Sequence, residues 1–326
     1  MKIINLFASF TIWITACAAS DEQPIYSDPG EAAAHPHFHV VGEYVGHTAD
    51  VQQWGLQVNS SHDGLYGMLY QGGLPGAGWD PEAHDPIEVK GAMNDGVAEL
   101  TSEAAPTLRY HDGMFQMLTA SGEVAGQLKR IERTSPTMGL APPEDALVLF
   151  DGTNMDAWAE HFGMTDDGLK IEGGRTAQEF GDMRLHLEFR LPFMPGHKGQ
   201  RRGNSGVYIM NRYEVQVIDW FARKVAFNGT GAIYRQQAPK LNMCFPPLRW
   251  QTYDIDFRAP RFDSDGQKTE NARITVHLNG VLIHDDYELE SGTGRGGLRP
   301  EVEKALLWLQ NHTGPVRFRN VWLLEP

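Results

Sequence analysis

Met183-Arg184-Leu185-His186-Leu187-Glu188-Phe189-Arg190-Leu191 alternates apolar and polar residues almost without a break. Successive side chains of a strand point to opposite faces. Leu185, Leu187, Phe189 and Leu191 therefore fall on one side, and His186, Glu188 and Arg190 on the other. Such a run reads as a half-buried β-strand with its leucine face turned to a core. Residues 252–258, 273–279 and 316–323 repeat the pattern, and Asn279-Gly280 between two apolar runs is a strong hairpin signal. Many alternating strands with almost no helical period predict an all-β chain of packed antiparallel sheets.

Working outward, residues 40–45, 54–58 and 66–70 are strand-like and are separated by turn residues such as His62-Asp63-Gly64. They predict a small all-β domain over 37–135, either an antiparallel sheet or a barrel. Gly72-Gly73-Leu74-Pro75-Gly76 has no following helix or lysine, so it does not read as a phosphate loop. Ser135-Pro136-Thr137-Met138-Gly139-Leu140-Ala141-Pro142-Pro143 has linker composition, giving a linker at 136–146 and a second domain at 147–326.

The start of the chain carries a localisation signal. Lys2 precedes a short apolar run at 3–14, too short to span a bilayer, and Ile14-Thr15-Ala16-Cys17 matches a bacterial lipobox. The expectation is a signal peptide at 1–16, lipidation of Cys17 and a tether at 17–36. That places the protein on the bacterial cell envelope, held by a lipid anchor only. Fractionation of a Cys17→Ser variant tests it, since unchanged membrane association would contradict lipidation. His35, His37 and His39 alternate at the end of the tether, but no carboxylate or cysteine accompanies them as a metal ligand.

Composition narrows the partners. A formal net charge of −14 argues against nucleic acid and anionic membrane surfaces. With Cys17 lipidated, Cys244 is alone and reads as a small buried hydrophobe beside Met243 and Phe245. The eight Trp and ten Tyr suit both a core and a carbohydrate site.

The chemistry-bearing stretch is Arg202-Gly203-Asn204-Ser205-Gly206-Val207, followed by Tyr213-Glu214-Val215-Gln216-Val217-Ile218-Asp219. It reads as two strands and a short turn. With Val215 and Val217 buried, Glu214 and Gln216 share the open face, their Cα atoms roughly 6.5–7 Å apart. Together with Gly231-Ala232-Ile233-Tyr234, Ala238-Pro239 and the run from Leu309-Gln310-Asn311-His312 to Asn320, this stretch resembles the 3-keto-disaccharide hydrolase domain family. The resemblance runs from Leu149-Phe150-Asp151-Gly152 to the end of the chain. It implies a concanavalin A-like jelly-roll sandwich with ligands on its concave face.

It also implies a substrate, a 3-keto-glycoside or 3-keto-disaccharide supplied by a separate sugar 3-oxidase. The ketone at C3 acidifies the C2 hydrogen, so a base, an enolate stabiliser and an acid for the leaving oxygen suffice. Glu214 is expected as base and His312 as acid or polarising group, with Asn204, Gln216 and Gln310 as hydrogen-bond donors to the sugar. A bound divalent cation is the alternative polarising group, although no ligand spacing identifies its site. Tyr234 and Trp250 are candidates for sugar stacking. Arg317 and Arg319 share a face and read as ion-pairing residues. Two other readings stand beside this one: a conventional glycoside hydrolase on unoxidised glucans, and a non-catalytic glycan-binding lipoprotein. A conventional hydrolase needs a second carboxyl group about 5–5.5 or 6.5–9.5 Å away. Glu188 is the first candidate for it and Asp219 the second.

Overall fold

The computed structural model describes residues 23–312 and 314–326, so the signal segment and Cys17 lie outside the described residues. The first unit is a closed antiparallel barrel of eight strands, running from Gly42–Thr48 to Val124–Ile131. Its first strand pairs with the second on one side and with the last on the other, Gly46 lying opposite both Trp54 and Leu128. Gly46 occupies the tight seam, where a Cβ would collide with the Gln127 carbonyl. Tyr44, Leu56, Leu69, Leu100, Phe115 and Leu128 fill the interior completely, so the barrel is a packed core rather than a channel.

The second unit is a sandwich of two antiparallel sheets. The smaller sheet orders its strands Trp158–His161, Gly174–Phe180, Ala305–Leu309, Ser205–Ile209 and Tyr213–Val217. The larger runs from Lys170–Ile171 through Arg317–Leu324, Met183–Arg190, Trp250–Arg258 and Ala272–Leu278 to Val281–Leu289. Leu147–Phe150 pairs with the Arg317–Leu324 strand outside this path. Leu185, Leu187 and Phe189 from the larger sheet meet Val207, Val215, Val217 and Leu309 from the smaller in one core. Asn279 and Gly280 both have positive φ, as the two-residue hairpin between Ala272–Leu278 and Val281–Leu289 requires.

Burying those leucines and valines leaves His186 and Glu188 on the outer face of the larger sheet, and the 135–140 segment lies across them. Ser135 Oγ is 2.6 Å from Thr252 Oγ1, Thr137 Oγ1 donates to Asp254 at 2.6 Å, and Gly139 N donates to Glu188 at 2.6 Å. The segment expected as a linker is thus strapped down by side chains. The far end of the expected tether is also packed. Tyr26 exchanges backbone hydrogen bonds with Phe193 at 3.0 and 2.9 Å, and the His35 ring stands edge-on to Phe193.

Barrel and sandwich are joined through Arg202, which is 1% exposed. Its guanidinium donates to Asp219 Oδ2 at 2.5 Å, and to Asn59 Oδ1 at 2.8 Å and Ser60 O at 2.7 Å from the barrel. Asn59 Nδ2 donates in turn to Asp219 Oδ1 at 3.2 Å. A buried charge is tolerable only when paired and fully hydrogen-bonded, and here the two units share that duty. Asp219→Ala is expected to lower unfolding stability by about 3–5 kcal/mol, because it strands the buried guanidinium. Asn59→Ala, which removes a neutral partner, should cost about 1–3 kcal/mol. Urea titration of both variants checks this, and two near-zero effects would contradict it.

Candidate active site

The outward face of the smaller sheet carries its polar chemistry in two rows that follow the strand register. Glu214 lies opposite Tyr208, Tyr208 opposite Trp308, Trp308 opposite Arg175 and Arg175 opposite Glu160. The neighbouring row begins with Gln216 opposite Gly206, whose carbonyl accepts from Gln310 N at 2.9 Å. A Cβ on Gly206 would lie 2.5 Å from Glu214 Oε1, so a larger residue here would displace that carboxyl group.

Glu214 is 2% exposed, and among the described residues its carboxyl group receives one hydrogen bond, from Tyr208 Oη at 2.6 Å to Oε2. Its own N–H is fixed from the opposite direction, donating to Thr293 Oγ1 at 2.6 Å, and its carbonyl accepts from Tyr234 N at 3.1 Å. Burial without a cation disfavours the charged form and pushes the carboxyl up to about 7, and the Tyr208 hydrogen bond opposes this only in part. A carboxyl group poised near neutrality has the proton affinity that general acid–base chemistry uses. Burial and the adjacent Glu214 likewise raise the Tyr208 phenol, which stays a neutral donor.

Asn204, Gln216 and Gln310 are all buried on this face, and their NH2 groups, expected from sequence as donors to the sugar, already donate within the protein. Asn204 Nδ2 donates to Gln200 O at 2.8 Å, Gln216 Nε2 to Gln200 Oε1 at 3.2 Å, and Gln310 Nε2 approaches Tyr208 Oη at 3.5 Å. Their three amide oxygens are buried with no partner among the described residues. These groups therefore offer acceptors, which suits hydroxyl donors such as those of a sugar. Tyr234 is half-buried beside Glu214, as Gly294 shows by lying between them: its Cβ would be 3.3 Å from Glu214 Oε2 and 3.4 Å from Tyr234. His312 lies exposed past the Ala305–Leu309 strand, and burial, then Arg295, lowers its pKa, leaving a neutral imidazole at pH 7.

Two expected site residues are elsewhere. Glu188 projects from the outer face of the larger sheet, where Arg319 Nε donates to it at 2.6 Å and Asn320 Nδ2 at 3.0 Å. Burial opposes its charge, but hydrogen bonds from His186, Asn320, Arg319 and Gly139 prevail and hold it near 2. It is a permanently ionised structural group, not a partner of Glu214. Trp250 lies on the same sheet, with the guanidinium groups of Arg319 and Arg190 over its ring at 4.1 and 5.1 Å from the centroid, so cations already engage it. Arg317 also pairs as expected, with Glu172 at 3.1 Å. Cys244 is buried and its thiol is pushed up to about 12 by burial, then Asp219, which excludes a thiolate.

Sequence reasoning missed Tyr208, although its alternation with Gly206 on the strand before Glu214 was the available signal. It also missed Trp308, whose ring stacks on Tyr208 at 4.2 Å between centroids. Thr293 and Arg295 reach the site from a distant loop that carried no local signal.

The family description "3-keto-alpha-glucoside-1,2-lyase-like domain" matches residues 145–324, more than half of the chain. The chain belongs to this family. Among solved structures, a candidate glycosyl hydrolase from Parabacteroides distasonis is 33% identical with a TM-score of 0.51, over 56% of this chain and 85% of that one. A second candidate glycosyl hydrolase of that organism is 17% identical, TM-score 0.43, over 56% and 94% of the two chains. A third is 20% identical, TM-score 0.39, over 56% and 99%. No curated protein matches. The lyase-like domain of this chain contains Glu214, Tyr208, Gln216 and Gln310, while the barrel lies outside it.

Tyr208 supplies the hydrogen bond that favours the Glu214 carboxylate, so Tyr208→Phe should raise the Glu214 pKa above its value of about 7. A carboxyl-¹³C NMR titration of both proteins reads this directly. An unchanged or lowered midpoint in the variant would contradict the assignment.

Proposed function

We propose that this protein cleaves the glycosidic bond of 3-keto-glycosides by proton abstraction at C2, with Glu214 as the base. The supporting observation is a buried carboxyl group near pKa 7 whose nearest neighbours in its row, Tyr208 and Trp308, are neutral. Glu160, the next carboxylate in its row, is four strands away, about 19 Å at ordinary strand spacing. That far exceeds the 6.5–9.5 Å over which two carboxyl groups cooperate in direct glycoside hydrolysis. A substrate activated by its own ketone needs only one.

The Glu214 carboxylate takes the C2 proton, and the C–H electron pair becomes the enolate of the C3 ketone. Re-forming the ketone moves that pair between C1 and C2 and breaks the C1–oxygen bond. The departing oxygen takes a proton, from the Glu214 carboxylic acid or through His312. Water then adds at C1 while C2 is reprotonated, so the net change is hydrolysis to the free 3-keto sugar. His312, neutral and exposed at the rim, is the polarising donor for the C3 oxygen in this scheme. The oxygens of Asn204, Gln216 and Gln310 accept from substrate hydroxyl groups. The substrate has to come from a reaction that oxidises a glycoside at C3.

Purified protein should release the leaving group from a 3-keto-glucoside and not from its unoxidised parent. Glu214→Gln keeps the shape of the side chain and should lose about 10²–10⁴-fold in kcat. Equal turnover of the unoxidised parent would favour the conventional hydrolase reading instead.

A further inference from the structure

Beyond Trp308, the row of site residues opens into a cleft of about 480 Å³ over the paired Trp158–His161 and Gly174–Phe180 strands, lined also by Phe162, Gly173 and Asn311. Its size is within the range of small-molecule sites. Resting on the reading of Glu214 as the base at C2, we propose that this cleft is the leaving-group subsite. It seats the ring carried by the glycosidic oxygen, aryl or pyranosyl, whose shared chemistry is a flat apolar face.

Continuity with the reactive carboxyl group is the first argument. Trp308, at the cleft mouth, is two strands from Glu214, about 10 Å, and stacks on the Tyr208 ring that holds that carboxyl. A ring bonded through the C1 oxygen of a sugar at Glu214 therefore has the cleft within reach.

The construction of the floor is the second. Gly173 and Gly174 both have positive φ. A Cβ on Gly173 would lie 2.7 Å from the Phe162 ring, and one on Gly174 would lie 2.5 Å from the Glu160 carbonyl. Only glycine keeps this floor open. From beneath, the Lys170 ammonium donates to Gly173 O at 2.6 Å and to Ile171 O at 3.0 Å. Lys170 is fully buried and its ammonium lies 4.3 Å from the Trp158 ring centroid. A buried cation is thus committed to holding two floor carbonyls, although desolvation disfavours its charge.

The walls are the third. Phe162 is 62% exposed, unusual for a ring with an apolar core nearby, and it flanks the floor glycine. Arg175 pairs with Glu160 and lies 4.9 Å from the Trp308 ring centroid, giving the far side a polar edge. An aromatic wall opposite a polar edge suits a ring that is apolar on its face and hydroxylated on its rim.

The test compares 3-keto-glucosides whose leaving groups are phenyl, glucosyl and methyl, in the wild type and in Phe162→Ala. The exposed ring can be removed without disturbing the core. The variant should lower kcat/KM for the phenyl or glucosyl substrate about five- to tenfold more than for the methyl one. Whichever ring shows the loss identifies the leaving group. An equal effect on all three would overturn the subsite. If no 3-keto-glucoside is turned over at all, the proposed activity fails, and the subsite is then read by binding. Calorimetry with phenyl glucoside on Glu214→Gln, with and without Phe162→Ala, should show weaker binding in the double variant. Equal affinity would overturn the subsite independently.

Discussion

Removing a carboxyl group from water without giving it a cation is the constraint on which this site depends. Glu214 is buried on a strand whose valines face the core, and among the described residues the only hydrogen bond to its carboxyl group comes from a phenol. Its surroundings follow from that choice. The carboxyl occupies the space a side chain at Gly206 would take, and Thr293 fixes the Glu214 backbone from another loop. The result is a group that exchanges its proton near neutral pH, which an exposed or salt-bridged glutamate does not do.

Glu188 is the contrast within the same molecule. Both glutamates sit on alternating strands and both are nearly inaccessible, yet one is held near 2 and the other near 7. Burial acts in the same direction on each. Arg319, Asn320, His186 and the Gly139 N–H overcome it at Glu188, and one tyrosine does not at Glu214. Two other buried charges of this domain hold structure: Arg202 with Asp219 ties the sandwich to the barrel, and Lys170 holds the Gly173 turn. Arg202 immediately precedes Gly203-Asn204, so the barrel's Asn59 and Ser60 reach the strand that forms one side of the site.

Period-two alternation made the strands, the two-sheet core and the shared face of Glu214 and Gln216 legible in the sequence, because those are local consequences of backbone geometry. Asn279-Gly280 was legible for the same reason. Which sheet a strand joins is decided by pairing between distant segments, and alternation is blind to it. Glu188 faces away from the leucines as its alternation predicts, but it and Trp250 belong to the larger sheet and not to that of Glu214, and their neighbours, Arg319 and Arg190, are set by the register there. The donor or acceptor state of Asn204 and Gln216 was equally hidden, since it rests on Gln200 in a separate turn.

The most direct measurement concerns the hydrogen at C2 of the sugar. A 3-keto-glucoside cleaved in D₂O, with the product isolated quickly and corrected for spontaneous exchange, is expected to carry deuterium at C2. That outcome requires the C2–H bond to break during turnover, as abstraction by Glu214 demands. Full retention of the original hydrogen would contradict it and leave Glu214 as an acid or nucleophile in direct displacement at C1.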